Sequence, residues 1–149
     1  MERINSDLKD HNPRDLGAAS GMNEDKSGYW IEIAEYDLGT AHAMQKTSRL
    51  LYVGFMCHQV VEKLLKAVIA KNGAMPPKVH SLVRLAELSG LTDQFSDEQK
   101  SLLNELLPLN IEARYPSNKD KLAVSLTEQY CADLVTRTEE FLSWIKQRL

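Results

Sequence analysis

Residues 49–72 read RLLYVGFMCHQVVEKLLKAVIAKN and contain the helical pattern that decides the fold class. Apolar residues recur along this stretch at spacings of three and four, which predicts an α-helix with one side facing a core. Gly73 and the following Pro76 and Pro77 mark its end. The predicted core face contains Val53, Met56, Cys57, Val60, Val61, Leu64, Leu65 and Val68.

The opposite face of this helix mixes aromatic, polar and charged residues. They are Tyr52, Phe55, Gln59, Glu62, Lys63 and Lys66. The first half of the helix is therefore apolar nearly all round, which is typical of a central helix or of one covered by a second subunit. We expect Tyr52, Phe55 and Gln59 to form a homodimer contact. Burial by the chain's own loops is the alternative.

Two further helices are predicted on either side of this stretch. The first runs from Ser27, a candidate N-cap, to Lys46. The third spans His80–Ser89 and ends at Gly90. Asp37 lies in the apolar stripe of the first helix. Because an isolated carboxylate that faces a core is costly, Asp37 needs a partner or a hydrated cavity.

Two more helices are predicted near the carboxyl end. Residues 96–99, SDEQ, form a capping box that begins the fourth helix, and Pro108 is expected to break that helix. The last helix is expected to begin at a second capping box in residues 125–128, SLTE, and to end near Lys146. No segment alternates with the period of a β-strand. The fold expected is all-α, an antiparallel up-and-down four-helix bundle with a short additional helix.

Length and composition indicate one domain. The chain has 149 residues, 43% of them hydrophobic and 26% charged, with a net charge of −3. Residues 1–26 show no apolar periodicity and are expected to form a flexible or loosely docked arm, whereas residues 27–149 form the domain. The net charge argues against a protein held on nucleic acid or on a membrane by its overall charge.

No secretory signal and no apolar run long enough to span a membrane is evident in the sequence, so we expect a cytoplasmic protein. Cys57 and Cys131 both fall on apolar helix faces. Buried thiols in a reducing compartment are the favoured interpretation, and a disulfide between them is the alternative.

Five cationic residues are candidates for an anion- or nucleotide-binding pocket. They are Lys63, Lys66, Lys78, His80 and Arg114. The alternative is that the lysines form an ordinary solvated surface. For Arg114, which Tyr115 follows, the preferred interpretation is a buried pairing with Asp37 or Glu62. A direct role in ligand binding comes second.

Metal and cofactor sites are not predicted. His58 and Glu62 lie four residues apart on one helix, but no third ligand has suitable spacing. We therefore interpret them as a helix-surface pair. No phosphate-binding glycine loop or Cys-x-x-Cys pair is found in the sequence.

Three separated fragments and one run in the first helix resemble the HEPN family. The fragments are His58–Ala67, Pro77–Leu82 and Ile111–Pro116, and the run is Ala34–Leu38. The resemblance implies an up-and-down bundle, usually dimeric, that is similar to the helical domain of kanamycin nucleotidyltransferase. It also implies a role as partner of a separately encoded minimal nucleotidyltransferase, often in a toxin–antitoxin pair.

HEPN ribonucleases carry an arginine followed, after four to six residues, by a histidine, and the pair acts on RNA without metal. The histidines of this chain are His11, His42, His58 and His80, so none follows Arg114. The resemblance therefore favours a non-catalytic subunit that does not act on RNA. A nucleotide-binding module is the alternative, and a ribonuclease is disfavoured because the motif is missing.

Overall fold

The computed structural model describes residues 26–112 and 125–149. Within these ranges it contains helices and no strand. The helices are α1 Ser27–Lys46, α2 Leu50–Lys71, α3 Leu82–Ser89, α4 Asp97–Leu106, α5 Leu109–Glu112 and α6 Glu128–Lys146, with a 3₁₀ turn at Thr92–Gln94. The all-α prediction is confirmed, and a bundle of four main helices with a short additional helix is compatible with this order.

Contacts between helices define their directions. Lys63 of α2 lies beside Asp37 of α1, and Lys66, one turn further along α2, lies over Trp30, which comes earlier on α1. The two helices are therefore antiparallel. Lys146 at the end of α6 binds Glu35 near the start of α1, while Glu139 binds His42. Helix α6 is accordingly also antiparallel to α1, as in an up-and-down arrangement.

Helix α2 lies at the centre of the fold and contacts every other described helix. Its position explains why the sequence is apolar on nearly all sides in the first half of this helix. Gly54 allows one of these contacts, because a Cβ atom at this position would lie 2.8 Å from Leu109 Cδ1 of α5. The absence of a side chain thus permits α5 to approach α2 closely.

The predicted helix ends were partly right. Ser96 and Gln99 form the expected capping box at α4. Helix α4 ends at Leu106, before Pro108, because proline cannot donate the next backbone hydrogen bond. Helix α2 ends within one residue of its predicted limit and is followed by Gly73 in the left-handed conformation, with φ of 94°.

One predicted N-cap and two predicted helix starts were wrong. Ser27 is the first helical residue and is buried, so it is not the N-cap. Helix α3 begins at Leu82 rather than at His80, because the Ser81 hydroxyl accepts the Arg84 backbone N–H. Helix α6 begins at Glu128 rather than at Ser125, because the hydroxyl of Thr127 accepts the Tyr130 backbone N–H at its start.

Both cysteines are buried as free thiols. Burial raises the pKa of Cys57 to about 12 and that of Cys131 to about 11, so both remain protonated at neutral pH. No helix within residues 26–112 and 125–149 has both the length and the apolar content needed to span a bilayer.

Candidate functional site

A buried carboxylate, that of Glu62, lies at the centre of the candidate site on α2. Its side chain is 2% exposed. Glu62 Oε2 is 3.3 Å from Lys66 Nζ and 3.0 Å from His80 Nδ1. A carboxylate removed from water requires compensating charge or hydrogen bonds, and these two contacts supply them. We call Glu62, Lys66, His80 and His58 the Glu62 cluster.

The two hydrogen-bond donors to Glu62, Lys66 and His80, differ in their access to water. The Lys66 side chain is 7% exposed, whereas the imidazole of His80 is 60% exposed. Lys66 Nζ also lies 5.5 Å from the centroid of the Trp30 ring, within the range of a cation–π contact. Lys66 is therefore held between a carboxylate and an aromatic ring, while His80 extends from the carboxylate to solvent.

His58 is also a buried member of this cluster, which corrects an expectation from the sequence. His58 Nδ1 lies 3.7 Å from Glu62 Oε1, and both side chains are 2% exposed. The interpretation of these residues as a helix-surface pair was wrong, because α2 is central and its second face is covered as well. Glu62 Oε1 accepts no hydrogen bond from residues 26–112 or 125–149.

A second row of polar contacts crosses from α1 to α5 beside the Glu62 cluster. Lys63 Nζ is 3.7 Å from Asp37 Oδ2 and donates a hydrogen bond to Gln59 Oε1 at 3.0 Å. Gln59 Nε2 in turn donates to Asn110 Oδ1 at 3.2 Å. The row thus connects three helices through a line of side chains that are mostly buried.

The carboxyl group of Asp37 is only partly compensated. Burial raises the pKa of Asp37, and the nearby Glu62 charge raises it further, whereas Lys63 lowers it by a smaller amount than burial raises it. Lys63 Nζ lies 3.7 Å from Asp37 Oδ2, and at this separation it offsets only part of the cost of burial.

The structure brings together three of the five predicted cationic residues. Lys63, Lys66 and His80 lie within the two polar groups, and each contacts a carboxylate. Lys78 is exposed in the connection between α2 and α3. Arg114, together with Tyr115, lies outside the described residues, so their expected pairing stays a prediction.

The residues expected at a dimer contact lie on one side of α2. Tyr52 is 44% exposed, while Phe55 and Gln59 are half-buried. Glu62 and Lys66, which the sequence also places on this face of the helix, are both buried. A buried Glu62 was a candidate from the sequence, whereas the charge of Lys66 suggested either an anion-binding pocket or a solvated surface. The regular His58, Glu62, Lys66 spacing of four was the signal that could have placed them together.

A second glutamate cluster, between α4 and α6, was missed from the sequence. The two Nη atoms of Arg137 each donate to a Glu105 oxygen at 3.0 Å. The hydroxyls of Tyr130 and Ser101 donate to the same carboxylate. These hydrogen bonds, those from Arg137 above all, lower the pKa of Glu105 to about 2. We call these four residues the Glu105 cluster, which lies in an open groove.

Metal chemistry finds no support in the part of the chain that the structure describes. Within it, no three or more His, Cys, Asp or Glu side chains are arranged to hold a metal ion. In the Glu62 cluster, the ammonium group of Lys66 lies where a cation would be repelled.

Comparison with known proteins identifies the family. The family model described as HEPN domain matches residues 27–148, which covers all described helices. No curated protein and no solved structure matches the chain significantly. The matched range includes all four residues of the Glu62 cluster, and the chain belongs to the HEPN family.

Proposed function

We propose that this chain is a non-catalytic HEPN subunit that works by association, as a homodimer and as the helical partner of a minimal nucleotidyltransferase, of the kind found in toxin–antitoxin pairs. The observation that carries the proposal is the internal pairing of the charged residues. Lys66 and His80 contact Glu62, and Lys63 contacts Asp37. Cations that are already compensated leave little net positive charge for an RNA backbone.

The amino-acid sequence supports the non-catalytic part of this proposal. No histidine follows Arg114, so the Arg–His pair of HEPN ribonucleases is missing. Purified protein should leave tRNA and mRNA intact, and an Arg114→Ala variant should give the same RNA pattern as the wild type. Cleavage that persists through purification and disappears in Arg114→Ala would contradict the proposal.

The homodimer is supported by the side of α2 that carries Tyr52. This aromatic side chain is 44% exposed, and the half-buried Phe55 and Gln59 follow it along the helix. Exposed aromatic residues beside polar ones are common in protein interfaces. Tyr52→Arg should weaken the dimer, whereas Val83→Arg should not, because Val83 is an exposed apolar residue of α3.

The partner can be identified by co-expression. The chain would be produced with its neighbouring reading frames, captured through a tag, and the bound proteins identified by mass spectrometry. Recovery of a small nucleotidyltransferase in a fixed ratio supports the proposal. A chain that is recovered alone from such co-expression contradicts it. We also propose a cytoplasmic location, which is supported by the two free thiols.

A nucleotide-binding module is the second candidate function, because Lys78 and His80 are both exposed between α2 and α3, where His80 contacts the buried Glu62. The two residues lie in the same connection, where an anionic ligand could reach both. Calorimetry with ATP, GTP and cyclic nucleotides tests this candidate, with Lys78→Ala as the binding variant and Lys100→Ala, on the exposed side of α4, as its control. No heat at millimolar nucleotide would exclude it.

A further inference from the structure

One surface of α1 and α2 combines apolar residues with a single pair of opposite charges. Trp30, Ile33 and Asp37 lie on one side of α1, at spacings of three and four residues. Gln59 and Lys63 lie one turn apart on the adjacent side of α2. We call these five residues the α1–α2 face.

The apolar members of the α1–α2 face do not belong to the main core. Trp30 and Ile33 are half-buried, and neither is among the side chains that form the core cluster or pack against it. Large apolar side chains that remain partly exposed to water gain favourable free energy when another surface buries them. They therefore mark this surface as a candidate for contact with another molecule.

The charged pair of this face is poorly satisfied within one chain. Asp37 accepts no hydrogen bond within 3.5 Å from the described residues, and its ion-pair partner Lys63 is 3.7 Å away. The Lys63 ammonium donates instead to Gln59. Both charged side chains are nevertheless about five-sixths buried, at 16% and 17% exposed. A carboxylate that has lost most of its water without gaining a close donor can accept a hydrogen bond from a cationic group of another molecule.

We propose that a second copy of this chain covers the α1–α2 face, with Asp37 of each copy bound to Lys63 of the other. This inference rests on the homodimer of the proposed function and assigns its surface and its specificity. The choice of occupant follows from charge. A two-fold axis places residue i of one copy opposite residue j of the other and j opposite i, so a face that carries one acid beside one base is complementary to itself.

Pairing across such an axis sets specificity more than affinity. An ion pair at an interface gains little over an apolar contact of the same shape, but two like charges placed together cost several kcal/mol. Charge reversal at Asp37 or Lys63 should therefore weaken association, and a matched reversal should restore it.

The test uses two single variants and one double variant. Asp37→Lys and Lys63→Asp should each weaken the homodimer at least about tenfold, because each places like charges across the axis. When mixed, the two single variants should form a heterodimer in which both pairs are restored. Asp37→Lys/Lys63→Asp in one chain should form its own dimer yet exclude the wild type. Circular dichroism checks that each variant is folded.

Two measurements give the readout. Sedimentation velocity gives the dissociation constants, and native mass spectrometry of isotope-labelled mixtures gives the heterodimer fraction. The matched control is Glu35→Lys, which reverses a charge on another side of α1, where Glu35 binds Lys146 within the chain. This control should leave the dissociation constant within about threefold of the wild type, as expected for an exposed pair.

Failure of the inference and failure of the proposed function give different results. In one outcome, the wild type dimerises and also forms heterodimers with the double variant in the proportion expected for random mixing. In that case the proposed pairing across the axis is wrong, but the homodimer is supported. If the wild type remains monomeric at about 100 μM, a concentration that detects weak association, both the homodimer and this inference are wrong. Exclusion of the wild type by the double variant supports the inference.

Discussion

Two glutamates in this molecule differ in how exposed their side chains are and in how many hydrogen bonds their carboxylates accept. Glu105 is 31% exposed and accepts hydrogen bonds from Arg137, Tyr130 and Ser101. Glu62 is 2% exposed, yet only one of its oxygens accepts hydrogen bonds from described residues, and the donors are Lys66 and His80. The better satisfied carboxylate is thus the more exposed one.

The difference shows which cluster the fold uses for stability. The Glu105 cluster joins α4 to α6 through a bidentate contact at little desolvation cost, so it should stabilise the fold. The Glu62 cluster combines a high desolvation cost with incomplete hydrogen bonding, so it is a poor source of stability in itself. Removing one of its members should nevertheless be very damaging, because the remaining charge would be buried alone.

The largest effect is expected from Glu62→Leu. This change leaves Lys66 buried without its carboxylate, and the free energy of unfolding should fall by about 3–5 kcal/mol in urea denaturation at fixed protein concentration. The double variant Glu62→Leu/Lys66→Met should be more stable than the single one, because it removes the isolated charge. Equal stability of the two variants would show that Lys66 does not depend on Glu62.

A smaller effect is expected from Glu105→Gln, and it should depend on pH. The pKa of Glu105 is lowered from 4.5 to about 2, so its stabilisation is fully present above pH 4.5 and is lost as the pH falls toward 2. At neutral pH we expect a loss of about 1–2 kcal/mol, reduced by the partial exposure of this group. Denaturation curves of the two proteins between pH 2 and 7 check this prediction, with the pH range set by linkage.

The control for this prediction is Glu98→Gln, which changes an exposed carboxylate of the same groove. It should alter stability by less than about 0.5 kcal/mol, as is usual for surface substitutions. A stability difference between wild type and Glu105→Gln that stays constant down to pH 2 would contradict the assignment of the low pKa.

The smallest effect is expected from Asp37→Asn, which should stabilise the fold, whereas the two changes above should destabilise it. Because the pKa of Asp37 is raised above 3.8, its ionisation costs stability as the pH rises through the folded pKa. At protein concentrations low enough to keep the chain monomeric, the variant should therefore gain stability relative to the wild type between pH 3 and pH 7, by no more than about 1 kcal/mol. If instead the wild type became more stable than Asp37→Asn as the pH rises, the attraction of Lys63 would outweigh the cost of burying the Asp37 carboxylate.

The helices could be predicted from the sequence because the patterns that define them are local. The capping box of Ser96 and Gln99, the break at Pro108 and the stripe of α2 each depend on neighbouring residues. The start of α6 was misplaced because Ser125 and Thr127 are both capping residues, and only tertiary packing selects one of them.

The candidate site was harder to predict from the sequence, because its contacts join segments that are far apart along the chain. Glu62 and His80 are 18 residues apart, and Glu105 and Arg137 are 32 apart. The spacing of residues on α2 predicted which side chains share a face, but it did not show that a second layer of structure covers that face. Burial of Glu62 and Lys66 depends on this cover, which no local pattern encodes.

The central claim is that this HEPN chain works by association, and sedimentation equilibrium of the purified full-length protein tests it most directly. The account predicts a species of twice the 16.9 kDa chain mass at micromolar concentration. A single species of 16.9 kDa at every concentration up to about 100 μM would contradict it.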